Sequence, residues 1–341
     1  GTQKNQTYVS VGAVNARGII QNNDLDRYNF SVRNTTSMLN DKLTMDLSFM
    51  YSNVKEQNML SQGEYANPLV PVYLFPRGDD FSKYQYYERY DVDRNIKTQF
   101  WPLKENGLSM QNPYWITNRN MYTNKKDRFL ASGSLKYTIT DWLNVSGRVK
   151  LDKETINSEK KMYASTLNVI AENSDKGAYV QSNKNTSQIY ADAMLNINKY
   201  FYHDTWNLTA SLGASLLDLD YKELNFGGGL LTIPNLFTSN NANVSGKLTY
   251  KNTNYHDRTN SLFGTFSLGY KGMVYVDGSL RNDWISALAG TNHSSILYPS
   301  IGASAILTNM FTMKSNILSY AKVRLSYSEV GNAPERFRAI T

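Results

Sequence analysis

Apolar and polar side chains alternate with a period of two in one segment after another, and that pattern restricts the chain to long strands. In "SGSLKYTITDWLNVSGRVKL" (132–151) the alternation runs down to Thr140-Asp141 and back again, as a hairpin does. Val9, Val11 and Ala13 share one side of a strand, as do Tyr28, Phe30 and Val32, and then Leu43, Met45, Leu47, Phe49 and Tyr51. The arrangement returns from Phe129 to Ile139, Trp142 to Leu151, Ile189 to Ile197 and Leu208 to Leu216. It continues from Leu262 to Tyr270, Val274 to Leu280, Ile301 to Leu307 and Ala321 to Tyr327. The pattern predicts eleven strands of about 10 to 13 residues each. No stretch of comparable length carries a helical period, and the 25 Tyr against only 8 Pro suit pleated sheet.

The connections narrow the choice further. "LND", "TITD", "YFYHD" and "KG" join the second strand to the third, the fourth to the fifth, the sixth to the seventh and the eighth to the ninth. The joins between them are longer, at 18–25, 56–127, 154–187, 222–257 and 286–296. The tenth, 309–317, is placed on the short side as the weakest case. Soluble domains keep most connections at about 4 to 6 residues and seldom hold structureless loops beyond about 15. Short turns at one end and long loops at the other are the habit of outer-membrane barrels. Tyr51, Tyr137, Trp142, Trp206, Tyr270, Trp284, Tyr298 and Tyr327 stand near strand ends, where interfacial girdles place their rings.

No run of about 18 apolar residues exists for a transmembrane helix, but a spanning strand needs only about 10 residues, half of them apolar. Without Cys there is neither a disulfide nor a thiolate site, and the net charge of +7 is scattered, which argues against nucleic acid. "DVDRN" (Asp91, Asp93, Asn95) imitates a calcium loop, but Ile96 stands where Gly is needed and Pro102 where the bidentate Glu belongs. "RGD" (77–79) is a common tripeptide, and "FGGGL" (226–230) lacks the strand–helix setting of a dinucleotide loop. His203, His256 and His293 are dispersed, so no metal set or catalytic triad is expected, nor an enzyme.

"VSVGAVNARGIIQNNDLDRYNFSVRNTTSMLNDKLTMDLSFMYS" (9–52) resembles the early barrel of the SusC/RagA family of TonB-dependent outer-membrane transporters of Bacteroidetes. "QNPYW" (111–115) with "DRFLASGSLKYTITDWLNVSGRV" (127–149) is similar to the next hairpin of that family. "VDGSLRNDWISAL", "YPSIGASAIL" and "AKVRLSYSEVGN" resemble its most characteristic strand run. The matching positions are Arg281, Asp283 and Trp284; Tyr298, Pro299 and Ser300; and Arg324, Ser326, Tyr327, Gly331 and Asn332.

The resemblance implies an all-β, antiparallel transmembrane barrel in the bacterial outer membrane, with short periplasmic turns and long extracellular loops. A full barrel of this kind has about 22 strands, so residues 1–341 read as roughly its first half. It also implies uptake of oligosaccharides or peptides driven by TonB, a SusD-like surface lipoprotein as lid, outer-membrane lipid around the wall, and no cofactor. The family's N-terminal extension, TonB box, plug and closing strand have no counterpart here, so both ends read as cut.

A wall in lipid needs a wet side for its charges. Arg148, Lys150, Asp192, Asp277, Arg281, Lys322 and Arg324 are the candidates to line a lumen, where a plug or a substrate would meet them. In the 56–127 loop, Tyr84, Tyr86, Tyr87, Tyr90, Phe100, Trp101, Tyr114 and Trp115 could stack on a ligand, touch the lipoprotein, or pack the loop into a lid. Two other readings stay open from sequence: a passive channel without a plug, and a soluble or surface-attached glycan-binding or adhesin protein.

Overall fold

Eleven strands pair in chain order into one antiparallel sheet, as a meander requires. In the computed structural model, which describes residues 1–59, 65–101, 110–243, 250–292, 294–311 and 318–332, these are β1 (Asn5–Arg17), β2 (Asp24–Met38), β3 (Leu43–Gln57), β6 (Asn120–Thr140), β7 (Leu143–Tyr163) and β8 (Gly177–Phe201). They continue with β9 (Trp206–Gly229), β10 (Tyr250–Tyr270), β11 (Val274–Ile285), β12 (Ser295–Ile306) and β13 (Lys322–Ser328). Strands β4 (Glu88–Asp91) and β5 (Ile96–Gln99) form a separate hairpin between β3 and β6, flanked by the short helices α1 (Leu69–Tyr73) and α2 (Pro113–Arg119).

Every expected strand is present, but several run far longer than expected: β7, β8 and β9 have 21, 25 and 24 residues. The loop expected at 154–187 therefore shrinks to 164–176, the one at 222–257 to 230–249, and the one at 56–127 to 58–119. The extra length went unseen because its side chains are polar on both faces, as in "LDKETINSEKK". A strand wet on both sides has no hydropathy contrast to read. The tenth connection, expected at 309–317, spans 307–321 and opens with a helical turn at Leu307–Met310, so it lies on the short-turn side as expected but is longer.

The register assigns every strand residue to a face, because paired residues lie on the same side of an antiparallel ladder. On one face, Leu135 pairs with Gly147 and Gly147 with Ala193; Ala193 pairs with Ala214, and Ala214 with Leu262. This face is apolar, and much of it is open: Val149, Leu212 and Leu325 are 54%, 58% and 80% exposed. Buried apolar residues gather elsewhere, at the end of the sheet that carries the long connections: Trp101, Trp115, Ile116, Met162, Ala171, Tyr179 and Leu230. So the molecule has a core in one lobe and a bare wall below it.

The edge of the apolar band measures the strand tilt. The last apolar residue before a polar one is Tyr51 in β3, Phe129 in β6, Leu151 in β7, Ile189 in β8, Leu216 in β9, Leu262 in β10 and Leu280 in β11. Pairing carries Tyr51 across to Phe129, Lys153, Ser187, Asp220 and His256. Leu262 lies six residues beyond His256, and Leu280 two further beyond its partner row. The edge thus slips about eight residues, or about 26 Å, over six interstrand steps of about 29 Å, a tilt of about 42°. Closed membrane barrels tilt their strands by about 35–45°. From Trp206 to Leu216 the band covers about 33 Å of β9, or about 25 Å along its normal, the height of an outer-membrane apolar belt.

Candidate functional site

The second face is polar, and it collects all seven charged candidates. Arg148 pairs with Asp192, Lys150 with Tyr190, Asp277 with Gly302, Arg281 with Tyr298, Arg324 with Ser304, and Lys322 with Ile306. The row Arg148–Asp192–Ser215–Ser261–Asp283 ties the two groups to one side. Alternation forces this, since Val149, Leu212 and Val323 must turn the other way.

The polar face is knitted by its own side chains. Arg148 meets Asp192 at 2.7 Å, Arg128 meets Asp152 at 2.5 Å, and Arg33 meets Asp46 at 2.8 Å. Arg281 bridges to Asp283 at 2.7 Å and donates to Ser261 at 2.8 Å, while Ser267 donates to Asp277 at 2.7 Å. Lys322 lies over the Tyr275 ring at 5.8 Å. Among the described residues Lys136, Lys150, Lys322 and Arg324 have no carboxylate within 4.0 Å, whereas each aspartate just named is engaged. The face thus carries surplus positive charge.

The rings near the short-turn end sit mainly on the apolar face. Phe201, Trp206 and Tyr270 form one cluster there, with Trp206 and Tyr270 4.7 Å apart. Tyr298 departs from the expected girdle, because it pairs with Arg281 and so belongs to the polar face.

At the other end the lobe is built around the "QNPYW" stretch. Asn112 caps α2 by accepting from the Tyr114 N–H at 2.9 Å, with Pro113 preset in the first turn. Its amide also donates to the carbonyls of Tyr84 and Phe100, at 2.8 and 3.1 Å. Gln111 donates to the Tyr65 carbonyl and accepts from the Leu167 N–H. Trp115 is fully buried, and its Nε1 donates to Thr166 Oγ1 at 3.0 Å.

This packing corrects part of the ligand-contact expectation. Tyr84, Trp101 and Trp115 are buried in the lobe, where Phe75 meets Tyr84 at 5.4 Å and Tyr84 meets Trp101 at 5.3 Å. They hold the lobe together, which is the packing role among the uses the sequence allowed for these rings. Tyr114 and Tyr87 are half-buried, Tyr114 against Phe81 at 5.7 Å. Tyr86 and Tyr90, 63% and 59% exposed, keep their rings at the surface. The stretch at 91–95 is the β4–β5 turn, with Asp91 accepting from the Arg94 N–H. Asp79 of the "RGD" tripeptide accepts from the Tyr84 hydroxyl at 2.7 Å. The "FGGGL" glycines close the top of β9, and a Cβ on Gly227 would lie 2.1 Å from the Tyr179 carbonyl. Pro102 and His293 lie outside the described residues.

Glu88 is the ionic fastener of the lobe. It bridges Lys97 at 2.6 Å and Arg119 at 2.6 Å, tying the β4–β5 hairpin to the end of α2. Burial by itself would raise this carboxyl, but the hydrogen bonds from Lys97 and Arg119 outweigh it and hold it below its ordinary 4.5. The ionised form is therefore the one the fold favours. Its contribution is complete above pH 4.5 and drains away as the pH falls below that value. The hydrogen-exchange protection factors of residues 88–99, taken against the intrinsic rate at each pH, should fall over that acid range, and Glu88→Gln should lower protection at neutral pH and flatten the acid dependence.

No family model matches the chain, and no curated protein matches it either. Among solved structures it is similar to the RagAB peptide transporter, with a TM-score of 0.70 and 16% identity over 96% of this chain and 35% of that one. The ferric-catecholate import receptor Fiu of E. coli K12 gives a TM-score of 0.54 at 12% identity, over 96% of this chain and 50% of that one. The ferric citrate transporter FecA gives 0.55 at 10%, over 89% and 37%. The chain spans about a third to a half of the length of these proteins. At such identities the likeness speaks for the fold: an open segment of a transmembrane β-barrel wall, shared by several importers.

Proposed function

We propose that this chain forms part of the barrel wall of a TonB-dependent, SusC-like importer in the outer membrane of a Gram-negative bacterium. The importer takes up peptides or oligosaccharides under a SusD-like lipoprotein lid. The observation that carries the reading is the two-sided wall, tilted by about 42°, with an apolar belt on one face and paired charges on the other. Its likeness to the RagAB peptide transporter adds support. Among the described residues both edges of the sheet are unpaired, and unpaired edges are not tolerated in lipid, so the wall closes with strands beyond these eleven. The polar face turns to the lumen, where its surplus of Lys and Arg meets a plug or cargo, and the lobe stands outside the cell beneath the lid.

The test is uptake by cells producing the intact protein. Labelled oligopeptides or oligosaccharides should enter, and entry should stop on deletion of the gene and on collapse of the proton gradient. Entry that survives a protonophore would identify a passive channel, and a product that fractionates as soluble protein without detergent would sink the barrel altogether.

A further inference from the structure

Above the apolar belt, the outward face holds an arrangement that strand pairing alone disfavours. Lys55 of β3 stands directly opposite Lys125 of β6, and both side chains are exposed. Like charges in direct cross-strand register repel. Among the described residues neither ammonium has a carboxylate within 4.0 Å, because the nearby acids are committed elsewhere. Asp26, paired with Lys55, is held by Arg17 at 3.1 Å and Asn15 at 2.9 Å. Glu159 is held by Lys161 and Tyr179, each at 2.8 Å. Asp127, one step below Lys125, accepts from Tyr51 at 2.6 Å and Asn53 at 2.7 Å. Lys153, exposed at the edge of the belt on β7, adds a third cation to the same side.

The lysine pair ends an open groove of about 570 Å³ that runs along one pairing row, Lys55–Lys125–Asn157–Asn183–Leu224. Because the strands tilt, this row climbs away from the belt. Lys55 and Lys125 sit four residues past the belt edge, about 10 Å above it, whereas Leu224 and Phe226 stand roughly twice as high. The groove therefore passes from cations, past the Glu159 carboxylate that Lys161 and Tyr179 engage, through carboxamides able to bond hydroxyls, to an apolar patch. Ammonium groups just above hydrocarbon, followed by amides and a ring, complement a phosphorylated sugar more closely than a protein surface.

We infer that this groove binds the phosphorylated saccharide headgroup of a glycolipid in the outer leaflet, with Lys55 and Lys125 clasping a phosphate. The inference rests on the membrane-wall reading, since only that places the row at headgroup height. Native mass spectrometry of the intact, detergent-purified protein titrated with bis-phosphorylated lipid A, and with its dephosphorylated form, tests it. Wild type should retain the phosphorylated lipid at least about tenfold better than Lys55→Gln/Lys125→Gln, and the dephosphorylated form should bind both weakly. Lys222→Gln, which removes a lysine paired with Asp220 at 3.0 Å on the same face, should bind like wild type. Equal retention by wild type and the double variant would overturn the proposal, as would loss of a protein dimer in place of lipid. Heat-modifiable gel mobility of each variant separates the two failures: a folded barrel without lipid sinks only the groove, whereas no detergent-dependent barrel sinks the wall.

Discussion

Replacing Trp115 with alanine should release the lobe from the wall while leaving the barrel strands paired. Trp115 is 0% exposed, and its indole reaches Thr166 in the β7–β8 connection. Thr166 in turn donates to Asn120 at 2.8 Å, where β6 begins. One side chain thus joins α2, the 164–176 connection and the top of β6. Truncating a buried tryptophan costs about 3–5 kcal/mol, a large part of what a small lobe can hold. The expected readout is loss of hydrogen-exchange protection in 111–119 and 164–176, with the hairpin β6–β7 unchanged below Leu151. Trp115→Phe should fall between the two, since it keeps the ring but leaves Thr166 without its indole donor. Unchanged protection in the alanine variant would mean that the lobe is held by something other than this packing.

Arginine placed on the apolar face should be costly in proportion to its depth. Ala193 lies midway along the apolar run of β8, between Ile189 and Ile197, and is exposed on that face. Ser187 lies on the same face of the same strand, one step past the edge of the belt. Ala193→Arg should destabilise the barrel in vesicles by about 2–4 kcal/mol, and Ser187→Arg by about 0–1 kcal/mol. Denaturant titration of folding into lipid measures both. Equal effects would mean that the apolar face meets protein instead of bilayer.

Much of this architecture was legible in the chain itself, for a specific reason. A bilayer on one side and water on the other impose a period of two wherever a strand crosses, so Leu208 to Leu216 could be read as a spanning strand and Arg148 and Asp192 could be placed on the wet side of the wall. The signal stopped where the contrast stopped. At 154–163 and 177–187 both faces are wet, and what looked like loop is strand. The aromatic loop was legible as rings but not as a core. Whether Trp115 is buried and Tyr86 exposed depends on contacts such as Gln111 with Leu167, made by residues far apart in the chain.

By itself, then, the sequence determined the strands, their two faces, and the division into tight turns at one end and long connections at the other, because each depends on a residue and its near neighbours. Only the tertiary structure decided the register. From the register follow the tilt of about 42°, the salt bridges that engage the acids of the polar face, and the meeting of Lys55 with Lys125 across two strands separated by a whole lobe. Those features belong to pairs of distant residues, and pairing is a property that no local pattern carries.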